Sequence, residues 1–319
     1  MLLLCDIAES PLHEIGLYMH ENTSGIKFKL IIGSITEANY MEKIFSMHNP
    51  DIIFHAAAYK HVPMMEEHPQ EAILNNVCGT KIIADLALKY NAERFVMIST
   101  DKAVNPTNVM GASKRIAEMY IQSLRQKAEN TLFITTRFGN VLDSNGSVIP
   151  RFKAQLAKGG PITLTHPEVT RFFMTIPEAC QLVLEAGVMG KGDEIFVFDM
   201  GESVRIKDLA EKMIRLAGLK PGEDIQIQIT GLRPGEKLYE EVLNDLETTQ
   251  ETYHPKIKIA KVRNVVFEHI SKTLEDLIFC AENGDEWECV ALMKEIVPEF
   301  LSNNSKFEKL DKQLKHVRV

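Results

Sequence analysis

The chain has 319 residues, 45% hydrophobic and 25% charged, an ordinary composition for a globular enzyme with room for one large or two modest domains. Its formal net charge of -8, with no basic run, argues against nucleic-acid binding, although Lys and Arg can still gather around a phosphorylated small molecule. No stretch approaches the ~20 consecutive apolar residues of a membrane span, and Met1-Leu2-Leu3-Leu4 is too short, and lacks the basic flank, for a signal peptide. The five cysteines are scattered, odd in number and without metal-ligand spacing. The expectation is reduced thiols in a cytoplasmic protein, with no membrane segment and no metal site.

In chain order, residues 2–5 form a short apolar strand that ends at Asp6. Ser10-Pro11 then opens an amphipathic helix to about residue 20. A second strand is predicted over 27–32, a helix over 37–47, and a third strand over 51–54. That strand runs into His55-Ala56-Ala57-Ala58-Tyr59-Lys60, where small residues let a flat ligand approach the backbone. A long helix over 69–90 precedes the strand 94–98, which ends in Ser99-Thr100-Asp101-Lys102. Met110 and Lys114, one turn apart on the next helix, share a face. A strand over 132–136 leads to Arg137-Phe138-Gly139-Asn140-Val141. A helix from Gly146-Ser147-Val148 reaches about 158, and its first-turn amides suit an anion. Then come a short strand over 161–165, a polar loop over 166–175 carrying Arg171, and a helix from 176. A strand over 194–198, a helix over 204–216 capped by Ser203, and a strand over 224–229 follow. Arg233-Pro234-Gly235-Glu236-Lys237 is a charged turn, and from about 262 the chain reads as helical and peripheral. Strands alternating with helices of this length imply βαβ units and a parallel, Rossmann-like α/β sheet, whose ligands bind beyond the carboxyl ends of the strands.

Several residues suit chemistry there, and each has a plainer reading. Asp101 and Lys102 pair an acid with a base at a strand end, where burial or close charges can shift their pKa values; otherwise they are a solvated turn. Lys114 suits ribose hydroxyls, or is one more surface lysine. Asp6 suits the adenosine ribose of a dinucleotide, or caps a helix; no glycine-rich turn precedes it. Arg171 and Arg233 have the guanidinium fork for a diphosphate, or form surface salt bridges; Glu236 shares the Arg233 turn. Asn140, Ser147 and the Val148 backbone suit a sugar or base edge, and Tyr59 and Lys60 either line a pocket or face solvent. His55, His61, His68 and His166 show no paired ligand spacing.

Taken together, the chain resembles the extended short-chain dehydrogenase/reductase superfamily. Within it, the chain is similar to the CapD-like UDP-N-acetylglucosamine 4,6-dehydratases of polysaccharide biosynthesis. The carriers run in the family's order from residue 2 to residue 261: His55 to Pro63, Asn75-Asn76-Val77-Cys78-Gly79-Thr80, Ser99 to Pro106, Met110-Gly111-Ala112-Ser113-Lys114, Arg137 to Leu142, Gly146 to Pro150, Thr170 to Ile176 and Arg233 to Leu238. The resemblance implies a redox-neutral dehydration with a tightly held NAD that takes hydride from the sugar C4 and returns it to C6. It places Asp101 and Lys102 at the elimination, Thr100 at the C4 oxygen, and Lys114 at the nicotinamide ribose. Asp6, Ala56, Ala57, Ala58, Tyr59, Asn76 and Ser99 fall with the cofactor; Lys60, Asn140, Ser147, Val148, Arg171, Arg233 and Glu236 fall with a UDP-sugar. Most of the superfamily has Tyr where Met110 stands. A thioether cannot titrate, and Met at this point of the catalytic constellation resembles the family's large membrane-anchored branch. That branch's membrane region, its extra domain, and the family's first strand and glycine loop have no counterpart, so a shortened front is expected. The implied division is an incomplete NAD-binding domain over 1–140, an interleaved nucleotide-sugar region over 141–261 and a helical extension over 262–319, in a homo-oligomer. An inactive sugar-nucleotide-binding remnant and an epimerase on the same scaffold are the alternatives.

Overall fold

A computed structural model describes residues 1–243, 248–262 and 264–317. The first half alternates strands with helical segments. β1 (Leu2–Asp6), α1 (Glu9–Asn22), β2 (Phe28–Ile32), α2 (Ala38–His48) and β3 (Ile52–His55) are followed by α3 (Val62–Glu67), α4 (Pro69–Ala72), α5 (Thr80–Lys89) and β4 (Arg94–Thr100). Then come α6 (Val109–Ser123), β5 (Leu132–Phe138), β6 (Asn140–Val141), α7 (Val148–Ala157), β7 (Ile162–Leu164), β8 (Thr170–Arg171), β9 (Phe173–Met174) and α8 (Ile176–Met189). The rest comprises β10 (Ile195–Phe198), β11 (Val204–Arg205), α9 (Ile206–Leu216), β12 (Ile227–Ile229), β13 (Thr248–Glu251), β14 (Ile257–Lys261), α10 (Phe267–Asn283), α11 (Glu286–Ile296) and α12 (Glu308–Val317).

The central sheet runs β13-β14-β10-β5-β4-β3. β3, β4, β5 and β10 are parallel, and β14 and β13 close the far edge antiparallel. β4 lies inside this sheet and is covered on both faces, which is why it reads as an unbroken apolar run rather than an alternation. Its side chains divide by parity. Phe95 and Met97 join the core under α5 and α6, whereas Val96 packs with Ile134 under α8. β1 and β2 form a parallel pair of their own, held to the main core through Ile31, Met41, Ile44 and Phe45. The result is a Rossmann-like α/β fold. A smaller layer of α7, β7 and α9 packs around Phe152, Ile162, Leu164, Ile206 and Ile214. Among the described residues no helix is long and apolar enough to cross a membrane.

Four expectations need correction. The helix over 69–90 is interrupted by a π-helical stretch, Ile73–Gly79, which turns Asn76 fully inward. The polar loop over 166–175 contains β8 and β9, which pair with β11 and β6; two-residue strands are too short to carry a period-2 signal. The helix expected behind Ser203 starts at Ile206, because Val204 and Arg205 are spent on pairing with β8. The region after 262 is not peripheral. Leu274, Leu277, Cys289, Val290 and Met293 are fully buried in the main core with α6, and Phe300 and Phe307 follow them in. Helix periodicity shows that such a face is apolar, not which surface it will cover. α10 and α11 also bring Cys280 and Cys289 together, Sγ to Sγ 3.3 Å, as free buried thiols.

Candidate active site

The carboxyl ends of β3, β4 and β5 open into a cavity of about 480 Å³, closed on its far side by the start of α7, by β7 and β8, and by the turn 233–237. At the end of β4, Thr100 is extended and its hydroxyl receives the Lys102 amide, which starts a tight 3-10 turn over Asp101–Ala103. The same hydroxyl donates to Asp101 Oδ1 at 2.8 Å. Asp101 is fully buried. Its Oδ1 also takes the Lys102 ammonium at 2.9 Å, while its Oδ2 has no partner among the described residues. A Cβ on Gly139 would stand 3.0 Å from that Oδ2, so glycine there leaves the carboxylate its place. Lys102 lines the cavity and Asp101 sits behind it.

Lys102 Nζ has three oxygen neighbours: Asp101 Oδ1, Asn140 Oδ1 at 3.1 Å and Glu240 Oε1 at 3.4 Å. Burial works against its charge, but the Asp101 and Glu240 carboxylates outweigh burial and hold its pKa above that of a free lysine. It therefore enters as an ammonium. Glu240 is buried, touches Arg171 Nε at 3.5 Å, and keeps a buried Oε2 with no partner among the described residues. Sequence reasoning passed over Glu240, since a Glu in a run of acids reads as surface. It also passed over Arg151, which lines the cavity from α7 with its guanidinium on Thr163.

α6 supplies the adjoining wall. Asn108 caps it by accepting the Gly111 amide at 2.7 Å, a contact of the kind that contributes ~1 kcal/mol. Met110 and Lys114 both line the cavity. Lys114 is 4% exposed and makes no hydrogen bond among the described residues. Burial lowers its pKa to about 8, against the opposing pull of Glu118. Glu118 is locked beneath it, accepting from Ser99 Oγ at 2.6 Å and from Arg137 at 2.8 and 3.2 Å.

The remaining candidates divide. Ala56, Ala58, Tyr59, Lys60, Ser99, Thr100, Asn140, Ser147, Val148, Arg171, Arg233 and Glu236 line the cavity. Ser147 Oγ is buried there without a partner among the described residues. Lys60 Nζ is tied to the Asn145 carbonyl at 2.8 Å. Glu236 is already engaged by Thr165, Arg171 and Arg233, so it orients the two arginines. Ala57 and Asn76 do not line the cavity. Asn76 accepts the Tyr59 amide at 2.7 Å and donates to the Tyr59 carbonyl and to Ser113, which fixes the loop after β3 from behind. His55, also in that layer, is neutral: burial first, and then Lys114, lower its pKa to about 3. Asp6 lies outside the cavity, where its Oδ1 accepts the Ala8 amide at 2.8 Å in a turn before α1. A strand-end acid reads the same in either role, and only its surroundings separate them.

Residues 1–262 match the family described as "Polysaccharide biosynthesis protein". The capsular polysaccharide biosynthesis protein CapD of Staphylococcus aureus is 53% identical over 253 residues, which are 79% of this chain and 42% of CapD. The probable polysaccharide biosynthesis protein EpsC of Bacillus subtilis is 48% identical over 276 residues, 86% of this chain and 46% of EpsC. The chain thus spans somewhat less than half the length of these two relatives. The crystal structure of Pen from Bacillus thuringiensis superposes with a TM-score of 0.74 at 32% identity, covering 83% of this chain and 82% of Pen. With that match across most of its length and this strand-end cavity, the chain belongs to the polysaccharide biosynthesis protein family, on the fold of the short-chain dehydrogenases/reductases.

Proposed function

We propose that the chain removes water from UDP-N-acetylglucosamine, or a related UDP-N-acetylhexosamine, in an NAD-dependent reaction that gives a 4-keto-6-deoxy sugar nucleotide for surface polysaccharide or glycan. The observation that carries this reading is Lys102, a cavity-lining ammonium held by Asp101, Asn140 and Glu240 beside a Met110 that cannot titrate. Acid–base work at the end of β4 therefore falls to Lys102.

The residues fit the nicotinamide end of the cofactor. Lys114 is a buried cavity-lining ammonium without a hydrogen bond among the described residues, the donor a ribose diol requires, and Ala56 and Ala58 leave a flat group room. NAD bound there would supply reversible hydride acceptance. Every other role falls to side chains. Asp101 and Glu240 keep Lys102 charged until substrate arrives. Thr100 Oγ, whose own proton is given to Asp101 Oδ1, accepts from the C4 hydroxyl, so the proton released there passes to Asp101. Lys102 gives a proton to the departing C6 hydroxyl, and the neutral amine left behind takes the C5 proton. The C5–H and C6–O bonds break and the C5–C6 double bond forms; C5 is then reprotonated by Lys102, which recovers its proton from Asp101, so the C4 hydroxyl proton replaces the one given to the departing water and both side chains end as they began. Arg171 and Arg233, steered by Glu236, receive the diphosphate, and Asn140, Ser147, the Val148 amide and Lys60 receive the sugar side.

The test is incubation of the purified protein with NAD and UDP-N-acetylglucosamine, followed by mass spectrometry. Loss of one water from the sugar nucleotide is expected. A C4 isomer of unchanged mass would make the protein an epimerase, and unaltered substrate bound without NAD would make it a binding remnant; either result overturns the proposal.

A further inference from the structure

The turn that carries Arg233 and Glu236 closes on itself through the Arg233 amide and Nε on Glu236 Oε2 and the Glu236 amide on the Arg233 carbonyl, and the Glu236 side chain is also held by Thr165 and Arg171. Three further ties, all to the backbone of residues 232–236, come from Asn303 and Asn304, beyond the family-matched span. The Gly235 amide donates to the Asn303 carbonyl at 2.7 Å, Asn303 Nδ2 to the Glu236 carbonyl at 3.2 Å, and Asn304 Nδ2 to the Leu232 carbonyl at 2.6 Å. On its other side the same segment lies against the loop before α6. There Leu301 and Asn303 donate their amides to the Pro106 and Thr107 carbonyls, each at 3.1 Å. Thr107 and Asn108 in turn donate to the Gly235 carbonyl at 3.0 and 2.9 Å. Three pieces of chain distant in sequence are thereby laced at the mouth of the cavity.

The segment is itself anchored. Phe300 and Phe307 are buried, and Lys294, on α11 and 1% exposed, donates to Ser302 Oγ at 2.9 Å and to Asp311 Oδ1 at 2.6 Å. Asp311 Oδ2 accepts the Ser302 amide at 3.0 Å. Ser305 bonds Glu66, whose other oxygen receives the Val109 amide at the first turn of α6. A buried ammonium that bonds the Phe300 carbonyl, Ser302 and, on α12, Asp311 ties the segment to the helices before and after it and gives it a fixed place rather than a loose drape.

We propose that residues 301–304 are a strap that positions the substrate clamp: they hold the 232–236 turn so that Arg233 and Glu236 stand ready for the diphosphate of a nucleotide sugar. The assignment of the diphosphate rests on the reading given under Proposed function; the mechanical coupling does not. Asn303 and Asn304 are positioning residues, and their loss acts on affinity rather than on the chemistry at Lys102.

The experiment uses the full chain with Asn304→Gly, which deletes the bond to Leu232 while easing the left-handed backbone at φ 53°, and Lys294→Met, which frees the anchor. Amide hydrogen exchange of the 232–236 turn and calorimetric binding of UDP are read on each. Exchange in the turn is expected to quicken about tenfold and UDP binding to weaken about fivefold, with kcat within about twofold of the parent. Unchanged exchange would show that the turn holds itself, and faster exchange with unchanged UDP affinity would show that the clamp does not need the strap; both overturn the proposal. If Lys294→Met fails to fold, Asn304→Gly decides alone. If the parent protein binds no UDP, the reading of the ligand fails, while the exchange result still decides whether the strap holds the turn.

Discussion

At the end of β4, the partners of Asp101 Oδ1 are Thr100 and Lys102, its neighbours in the chain. At the turn across the cavity, the Gly235 amide and carbonyl are bound by residues near position 303 and by Thr107 and Asn108. Asp101 is held by its chain neighbours, with Asn140 and Glu240 reaching Lys102 from afar, whereas the backbone of Gly235 is held by long-range lacing. Local hydrogen bonds form as soon as the strand ends and are hard to lose by a distant change. Laced bonds exist only once the whole fold has closed, so they are where affinity can be altered without touching the chemistry.

The first way to sharpen this contrast is Lys102→Ala. Dehydration should fall ~10²–10⁴-fold, the span of a lost acid–base group, while UDP affinity measured by calorimetry stays within about threefold of the parent. A parallel loss of UDP binding would merge the two walls into one unit.

Lys114 offers a test by pH. Its folded pKa of about 8 lies below its unfolded value near 10.4, so the unfolded chain binds the extra proton between those limits and stability rises as pH climbs from about 8 to about 10.4. Below about 8 both states are protonated and this contribution is flat. Urea denaturation should show Lys114→Met more stable than the parent at pH 7, by an amount on the order of 2–3 kcal/mol, with the gap closing above pH 8. A gap that does not change with pH would mean that Lys114 is not buried as an unpaired cation.

Gly235→Ala probes the laced wall. Gly235 has φ 74°, and a Cβ would lie 2.4 Å from Asn108 Cβ. We expect about 1–3 kcal/mol of lost stability and a rise of about tenfold in KM with little change in kcat. A fall confined to kcat would place the turn in the chemistry instead. The smallest effect should come from Met110→Leu, a volume-conserving change at a buried wall, costing under about 1.5 kcal/mol in thermal denaturation and leaving turnover within about threefold. Damage from it equal to that of Lys102→Ala would give Met110 a role that its thioether does not suggest.

The run Ser99-Thr100-Asp101-Lys102 was legible because an apolar buried strand must end where its polar residues begin, and Met110 and Lys114 because helical spacing puts them on one face. The alternation of strands and helices likewise determined the α/β class. What tertiary structure decided is which of these residues reach the cavity. Asp6 and Asp101 are both strand-end acids in the sequence; one became a turn cap and the other the buried support of Lys102. Asn76 faces inward because the helix locally widens to π geometry, which no composition signal announces. Glu240 reads as one acid among several until Lys102 and Arg171 close on it. Residues 262–317 carry an amphipathic pattern and no address. Periodicity specifies that a face will be buried, but the partner surface is set by packing between segments far apart in the chain, and that packing turned an expected appendage into part of the main core, bonded to the 232–236 turn.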